Sequence, residues 1–181
     1  MRNTLKFLLA LTVALLLMLA FRSLAVTIYK VEGDGLQPEF LAGDHVMVNR
    51  WSYGLRTGSV RGLFSYGRLC RQAVERGDIV AYEDPRDTTR RSVLFGRCRA
   101  LPGDTVRYSG QVEMVPSVKD CADADYYWIQ TLSEDNPVDS RQLGFISEQF
   151  IIGRAFLIIF SHNPGEPFWR GYRNDRLLLL K

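Results

Sequence analysis

Side chains able to do acid–base or nucleophilic chemistry are sparse in this chain. Its lysines are Lys6, Lys30, Lys119 and Lys181, its histidines are His45 and His162, and every other basic residue is an arginine. Arginine stays protonated at any working pH, so a general base has to come from a lysine, a histidine or a carboxylate. His45 follows Asp44, but neighbours in a strand point to opposite faces, which makes His45 a solvated histidine and not the partner of that aspartate. Ser161-His162 runs into Asn163-Pro164-Gly165, a loop by composition, and no catalytic role is assigned to it. Asp139 and Arg141 stand two apart, so an extended backbone would put them on one face and let them join a buried ion-pair network. Cys70, Cys98 and Cys121 are far apart and neither histidine stands in a ligand spacing, so no metal or cofactor is expected. The three thiols allow one disulfide at most. With 23 basic against 20 acidic residues the net charge is +3, too slight a footprint for a nucleic-acid partner.

Ordered motifs say more than single residues. The stretch Val31-Glu-Gly33-Asp-Gly35-Leu36-Gln37-Pro38-Glu-Phe-Leu-Ala-Gly43-Asp44 resembles the nucleophile box of type I signal peptidases, S-x-S-M-x-P-T-L-x-x-G-D. Leu94-Phe-Gly96-Arg97-Cys-Arg-Ala-Leu-Pro102-Gly103-Asp104 resembles their general-base box, Y-x-K-R-x-x-G-x-P-G-D. Thr131-Leu-Ser-Glu-Asp-Asn-Pro137-Val-Asp139-Ser140-Arg141 is similar to a third box, G-D-N-x-x-x-S-x-D-S-R. Arg76-Gly77-Asp78, Arg50 to Arg56 and the terminal Phe168 to Arg176 extend the likeness from about Phe21 to the end of the chain. Each box alone is an ordinary turn and strand. Their order and spacing carry the specificity.

The resemblance implies a Ser/Lys mechanism, in which a serine attacks a carbonyl while a desolvated, neutral lysine takes its proton. Aligned on the structural residues, the nucleophile position is Gly35, the general-base position Gly96, the oxyanion position Gly33 and the lysine-support position Pro137. Glycine and proline can do none of these jobs, so the four chemical groups are absent together. Pro38, Gly43, Asp44, Asp78, Arg97, Asp104, Asp139, Ser140 and Arg141 all stand in place. Lys30 is five positions from Gly35, which in a strand puts it on the opposite face. Asp34 would reach the nucleophile position only by a one-residue slip, with no evident base to activate it. The resemblance further implies that Leu36, Gln37 and Pro38 line a substrate groove, and that Asp139, Ser140 and Arg141 brace the site.

The elements that must position these residues are strands. Apolar and β-branched runs at 25–31, 44–48, 78–82, 105–108, 126–131 and 150–160 alternate with Gly/Pro turns, which predicts a mainly antiparallel β domain. The resemblance implies the same fold. Residues 55–76, with Gly58, Gly62 and Gly67 among arginines, have no clean period and are expected to form a mobile loop or short helix. Ahead of the β domain, Phe7 to Phe21 carries no charge. With Arg22 snorkelling, that run extends to Val26 and could span a bilayer, while Ser23-Leu24-Ala25 also fits the cleavage pattern of an export signal. The sequence therefore reads as a cytoplasmic segment 1–6, an anchor 7–26 and a signal-peptidase-like β domain 27–181. Arg2 and Lys6 put the β domain on the extracytoplasmic side of the cell membrane. Two functions are expected: a homologue that binds extended polypeptide of exported or surface proteins without cutting it, or an active signal peptidase with a relocated nucleophile.

Overall fold

The computed structural model describes residues 2–31, 40–58, 65–87, 92–120, 122–131, 138–167 and 169–180. A helix, α1 (Arg2–Ala25), runs without a linker into β1 (Val26–Lys30). There follow β2 (Asp44–Asn49), β3 (Leu55–Thr57), β4 (Gly67–Leu69), β5 (Ile79–Glu83), β6 (Val93–Ala100), β7 (Thr105–Tyr108) and β8 (Gln111–Met114). The chain then forms β9 (Tyr126–Gln130), the one-turn helix α2 (Ser140–Leu143), β10 (Ile146–Ser147), β11 (Ile151–Ser161) and β12 (Leu178–Leu179). The main sheet has the order β1-β2-β11-β5-β6-β9-β10, with β12 added beside β11, and all its pairings are antiparallel. Two hairpins, β3–β4 and β7–β8, stand apart from it.

All six stretches expected to be strands are strands. Strand β2 shows why: its burial alternates strictly, with Asp44, Val46 and Val48 inside and His45, Met47 and Asn49 less buried. The residues 55–76, expected as a loop or short helix, instead contain β3 and β4, paired from Leu55–Leu69 to Thr57–Gly67. Arg68 accounts for the difference. Its guanidinium donates to the carbonyls of Ile151 at 2.7 Å, Tyr53 at 3.3 Å and Glu148 at 3.3 Å, a tertiary anchor that no local period announces. The sheet is buried on both faces. One face carries Val46, Val48, Ala81, Phe95 and Ile158, the other Val80, Tyr82, Cys98, Ile129 and Ile151.

Three four-residue turns share one construction. Leu41 to Asp44, Glu75 to Asp78 and Leu101 to Asp104 each close with the aspartate N–H on the first residue's carbonyl. Each places glycine third, at φ +90° for Gly43, +98° for Gly77 and +87° for Gly103, the left-handed backbone that only glycine adopts without strain. The aspartate carboxylate then accepts the N–H of the turn's first residue, at 2.9, 3.2 and 2.6 Å respectively. An arginine completes each turn: Arg176 on Asp44 at 2.7 Å, Arg154 on Asp78 at 3.2 Å and Arg76 on Asp104 at 2.6 Å. At Gly43 the packing adds a second constraint, because a Cβ there would lie 1.8 Å from the carbonyl oxygen of His162.

Asp44 is fully buried, and a buried carboxylate stripped of its cation is costly. Replacing Arg176 with alanine is expected to lower unfolding free energy by about 3 kcal/mol, read as a lower urea midpoint. Arg76→Ala, at the more exposed Asp104 turn, should change it by less than about 1 kcal/mol.

Candidate functional site

Residues 32–39, with Gly33, Gly35, Leu36, Gln37 and Pro38, and residues 132–137, with Pro137, lie outside the described residues, as does Asp34. What surrounds them is described. Val31 and Phe40, on either side of the first stretch, are both buried, and Val31 exchanges backbone hydrogen bonds with Asp44 and Gly43. Lys30 pairs in register with His45 across β1 and β2. His45 stacks on Phe160 with ring centroids 4.0 Å apart and holds Nδ1 3.1 Å from the Gly43 carbonyl. Buried Asp44 and outward His45 thus face apart, as alternation requires. His162 contacts Tyr172 edge-on and sets Nε2 3.1 Å from the Pro167 carbonyl.

Gly96 is described, and its surroundings decide what the position can hold. It sits buried in β6 opposite Val80 of β5, one residue before the point where β6 takes up β9 through Arg97 and Gln130. A Cβ on Gly96 would stand 2.6 Å from Ile129 Cγ2 and 2.7 Å from the Gln130 carbonyl oxygen. The Gln130 oxygen belongs to the backbone of a paired strand and cannot step aside as a flexible side-chain end could. A side chain at Gly96 is therefore blocked by β9.

The bracing residues lie on the far side of β9. Asp139 is fully buried and caps α2 by accepting the Arg141 N–H at 2.8 Å. Its carboxylate also accepts the Thr131 N–H at 2.9 Å and the Arg141 guanidinium, with Nη2 at 2.9 Å. Asp139 and Arg141 do form an ion pair, but through a helix cap with Arg141 folded back, not through two residues sharing an extended face. Ser140 Oγ accepts the Ile129 N–H at 2.9 Å while itself buried. The two residues together fasten α2 to the strand that closes over Gly96.

Sequence reasoning missed the groups buried on the same face as Gly96. Tyr82, two residues beyond Val80 on β5, is fully buried, and its hydroxyl has no hydrogen-bond partner among the described residues. Burial, then the Asp139 carboxylate, raises its phenol above the usual range. Tyr53 donates to Asp78 at 2.8 Å, and burial followed by that carboxylate pushes its phenol up strongly. An Ile-Val-Ala-Tyr strand carries no local sign that its tyrosine will meet a carboxylate 57 residues later. Arg71 reaches both Asp125 and Glu148 at 2.5 Å, beside a small solvent-open cleft lined by Tyr53, Arg68, Gln72, Tyr127 and Glu148. No cluster of metal-ligating side chains exists among the described residues. Cys70 and Cys98 are both free thiols, and Cys121 lies outside the described residues.

The turn-and-strand framework and the order of its boxes define a signal peptidase scaffold, and comparison with known proteins agrees. Residues 4–115 match the family model described as signal peptidase, peptidase S26, and the chain belongs to that family. It is 29% identical over 96 residues to Signal peptidase I of Pseudomonas fluorescens, covering 52% of this chain and 31% of that protein. Over 80 residues it is 31% identical to Signal peptidase I V of Bacillus subtilis, covering 44% of this chain and 36% of that protein. The chain therefore spans about a third of the curated relatives it matches.

The two described thiols differ in reactivity. Burial, then the Asp78 carboxylate, pushes Cys98 up to about 12, whereas Cys70 is exposed. Only a thiolate attacks an alkylating reagent, so with Cys121→Ser as background, iodoacetamide at pH 8 should label Cys70. Cys98 should react only after unfolding. Mass analysis of the tryptic peptides checks both.

Proposed function

We propose that this chain is a membrane-anchored signal peptidase homologue that binds extended polypeptide of exported or surface proteins and does not cleave it. The observation that carries the reading is the closure of Gly96 by Ile129 and the Gln130 carbonyl. In the Ser/Lys scheme the base must reach the nucleophile's proton. Here the base has neither a side chain nor space for one, and the nucleophile, oxyanion and lysine-support positions also lack their groups. A peptide added as a strand is held by main-chain hydrogen bonds and by pockets for alternate side chains, and neither needs a nucleophile. The retained Gly-Asp turns and the Asp139–Arg141 brace are the parts such a groove would still need.

Membrane attachment is part of the proposal. Among the described residues no helix is long and apolar enough to cross a membrane. The described side chains of α1, Lys6 to Leu19, are all exposed, including Phe7, Leu11, Leu15 and Met18. All 24 residues of α1 would reach about 36 Å, beyond a hydrocarbon core of about 30 Å. The exposed run Phe7 to Leu19 carries no charge, a surface that suits lipid. Beside it, one register row across four strands, Ile28, Met47, Leu157 and Leu179, presents apolar side chains outward; Ile28 is 52% and Leu179 78% exposed.

The test uses the full chain in proteoliposomes with a preprotein that carries a photocrosslinker in its signal segment. Crosslinking without a shortened product is expected. A mature-length product that persists after contaminating peptidase is removed overturns the proposal. Restoring the dyad as Gly35→Ser with Gly96→Lys is expected to yield no cleavage and to destabilise the fold, because Gly96→Ala alone should cost about 1–3 kcal/mol through overpacking. Circular dichroism melts and a cleavage assay on the same preparation separate the two effects.

A further inference from the structure

Tyr82 carries a hydroxyl that the fold buries and leaves without a bond. The side chain is fully buried, and its Oη has no hydrogen-bond partner among the described residues. The other two tyrosines of the same apolar cluster are satisfied: Tyr53 donates to Asp78, and Tyr127 hydrogen-bonds with the Val74 backbone. The Asp139 carboxylate near Tyr82 is already in use. One of its oxygens accepts the Arg141 N–H and Nε, and the other accepts the Thr131 N–H, the Thr131 hydroxyl and Arg141 Nη2, which takes up the lone-pair sites of a carboxylate. Burial and then that carboxylate raise the phenol, so it stays protonated and able to donate. A buried donor with no acceptor carries its full desolvation cost, which a phenylalanine in the same space would avoid.

The place of Tyr82 in the sheet gives that donor a use. Val80 faces Gly96 across β5 and β6, and Tyr82 faces Leu94. Tyr82 and Gly96 therefore share one face as diagonal neighbours, roughly 7–8 Å apart. We propose that Tyr82 is a binding residue for extended polypeptide, its hydroxyl donating to a main-chain carbonyl of the bound strand beside the Gly96 position. The proposal rests on the reading of the chain as a polypeptide binder and adds the side chain that reads the client's backbone. A peptide that joins a sheet at its edge turns only half of its carbonyls toward the sheet and leaves the rest for other donors. Such a contact is blind to the client's side chains. Because the hydroxyl is fully buried, an acceptor reaches it only when the wall formed by β9 and α2 gives way. The pairing of β9 with β6 shifts register between Cys98 and Ala100, so that wall is not held by an unbroken ladder. The hydrogen bond gained on binding favours the open arrangement over the closed one.

Tyr82→Phe in the full chain tests this in two directions at once. The variant is expected to melt at a temperature at least as high as the unaltered chain, because it sheds an unmet donor. In the same proteoliposomes it should bind a fluorescent peptide of the preprotein's signal segment about tenfold more weakly, read by anisotropy. A tyrosine that only packs would not give that combination. A melting temperature below that of the unaltered chain overturns the proposal, since the hydroxyl then has a partner within the fold. Equal affinity of the two chains for the peptide overturns it and leaves polypeptide binding standing. If the unaltered chain binds no peptide, the binding function and the role of Tyr82 fall together. A second arm uses peptides in which one amide at a time is replaced by an ester, whose carbonyl is a weaker acceptor. One position should lower affinity for the unaltered chain about threefold and leave affinity for Tyr82→Phe unchanged. A scan of the whole segment with no such position overturns the main-chain contact.

Discussion

The fold depends on a carboxylate that cannot be left alone. In each Gly-Asp turn the aspartate carboxylate accepts the N–H of the turn's first residue and pairs with an arginine. The glycine makes the bend possible, the carboxylate fixes it, and the arginine ties it to another part of the chain. At Asp104 the balance is visible in its acidity: the Leu101 N–H first, then Arg76, hold the carboxyl below its ordinary range. At Asp44 the same construction closes the buried end of the segment that precedes β2, and Arg176 and Arg173 bring the C-terminal stretch across to it, with Arg173 Nη1 3.1 Å from the Ala42 carbonyl. Such turns are indifferent to catalysis. A chain can lose every reactive group of a Ser/Lys site and keep all of them.

That separation explains the selective character of the losses. Gly96 lies where β6 takes up β9, and that strand comes so close that a Cβ on Gly96 would clash with it. The brace at Asp139 and Ser140 now fastens α2 to that same strand. Membership in the signal peptidase family and the proposed binding without cleavage are compatible, since fold and chemistry rest on different residues.

Much of the architecture was legible in the sequence. The β-branched runs at 44–48, 105–108 and 150–160 became β2, β7 and β11 because alternation with flanking turns is a local signal. Strand β6 was harder to see, since Val-Leu-Phe-Gly-Arg-Cys-Arg-Ala interrupts its apolar face with arginines and a glycine. The short strands β3 and β4 were hidden for another reason: their order comes from Arg68 gripping three carbonyls on other elements. The Asp139–Arg141 pairing was anticipated, but its geometry was not, because a separation of two residues fits an extended strand and a helix cap equally well.

By itself the sequence determined the Gly-Asp turns and the order of motifs that marks the family, since each follows from residue type at a fixed local spacing. Tertiary structure alone decided which arginine meets which aspartate, 132 residues apart for Arg176 and Asp44, and that Tyr82 is buried near Asp139 without a hydrogen-bond partner among the described residues. It also decided that the glycine at the base position is closed and not merely empty. A missing side chain can be read from a sequence, whereas the space it leaves depends on how closely the next strand approaches.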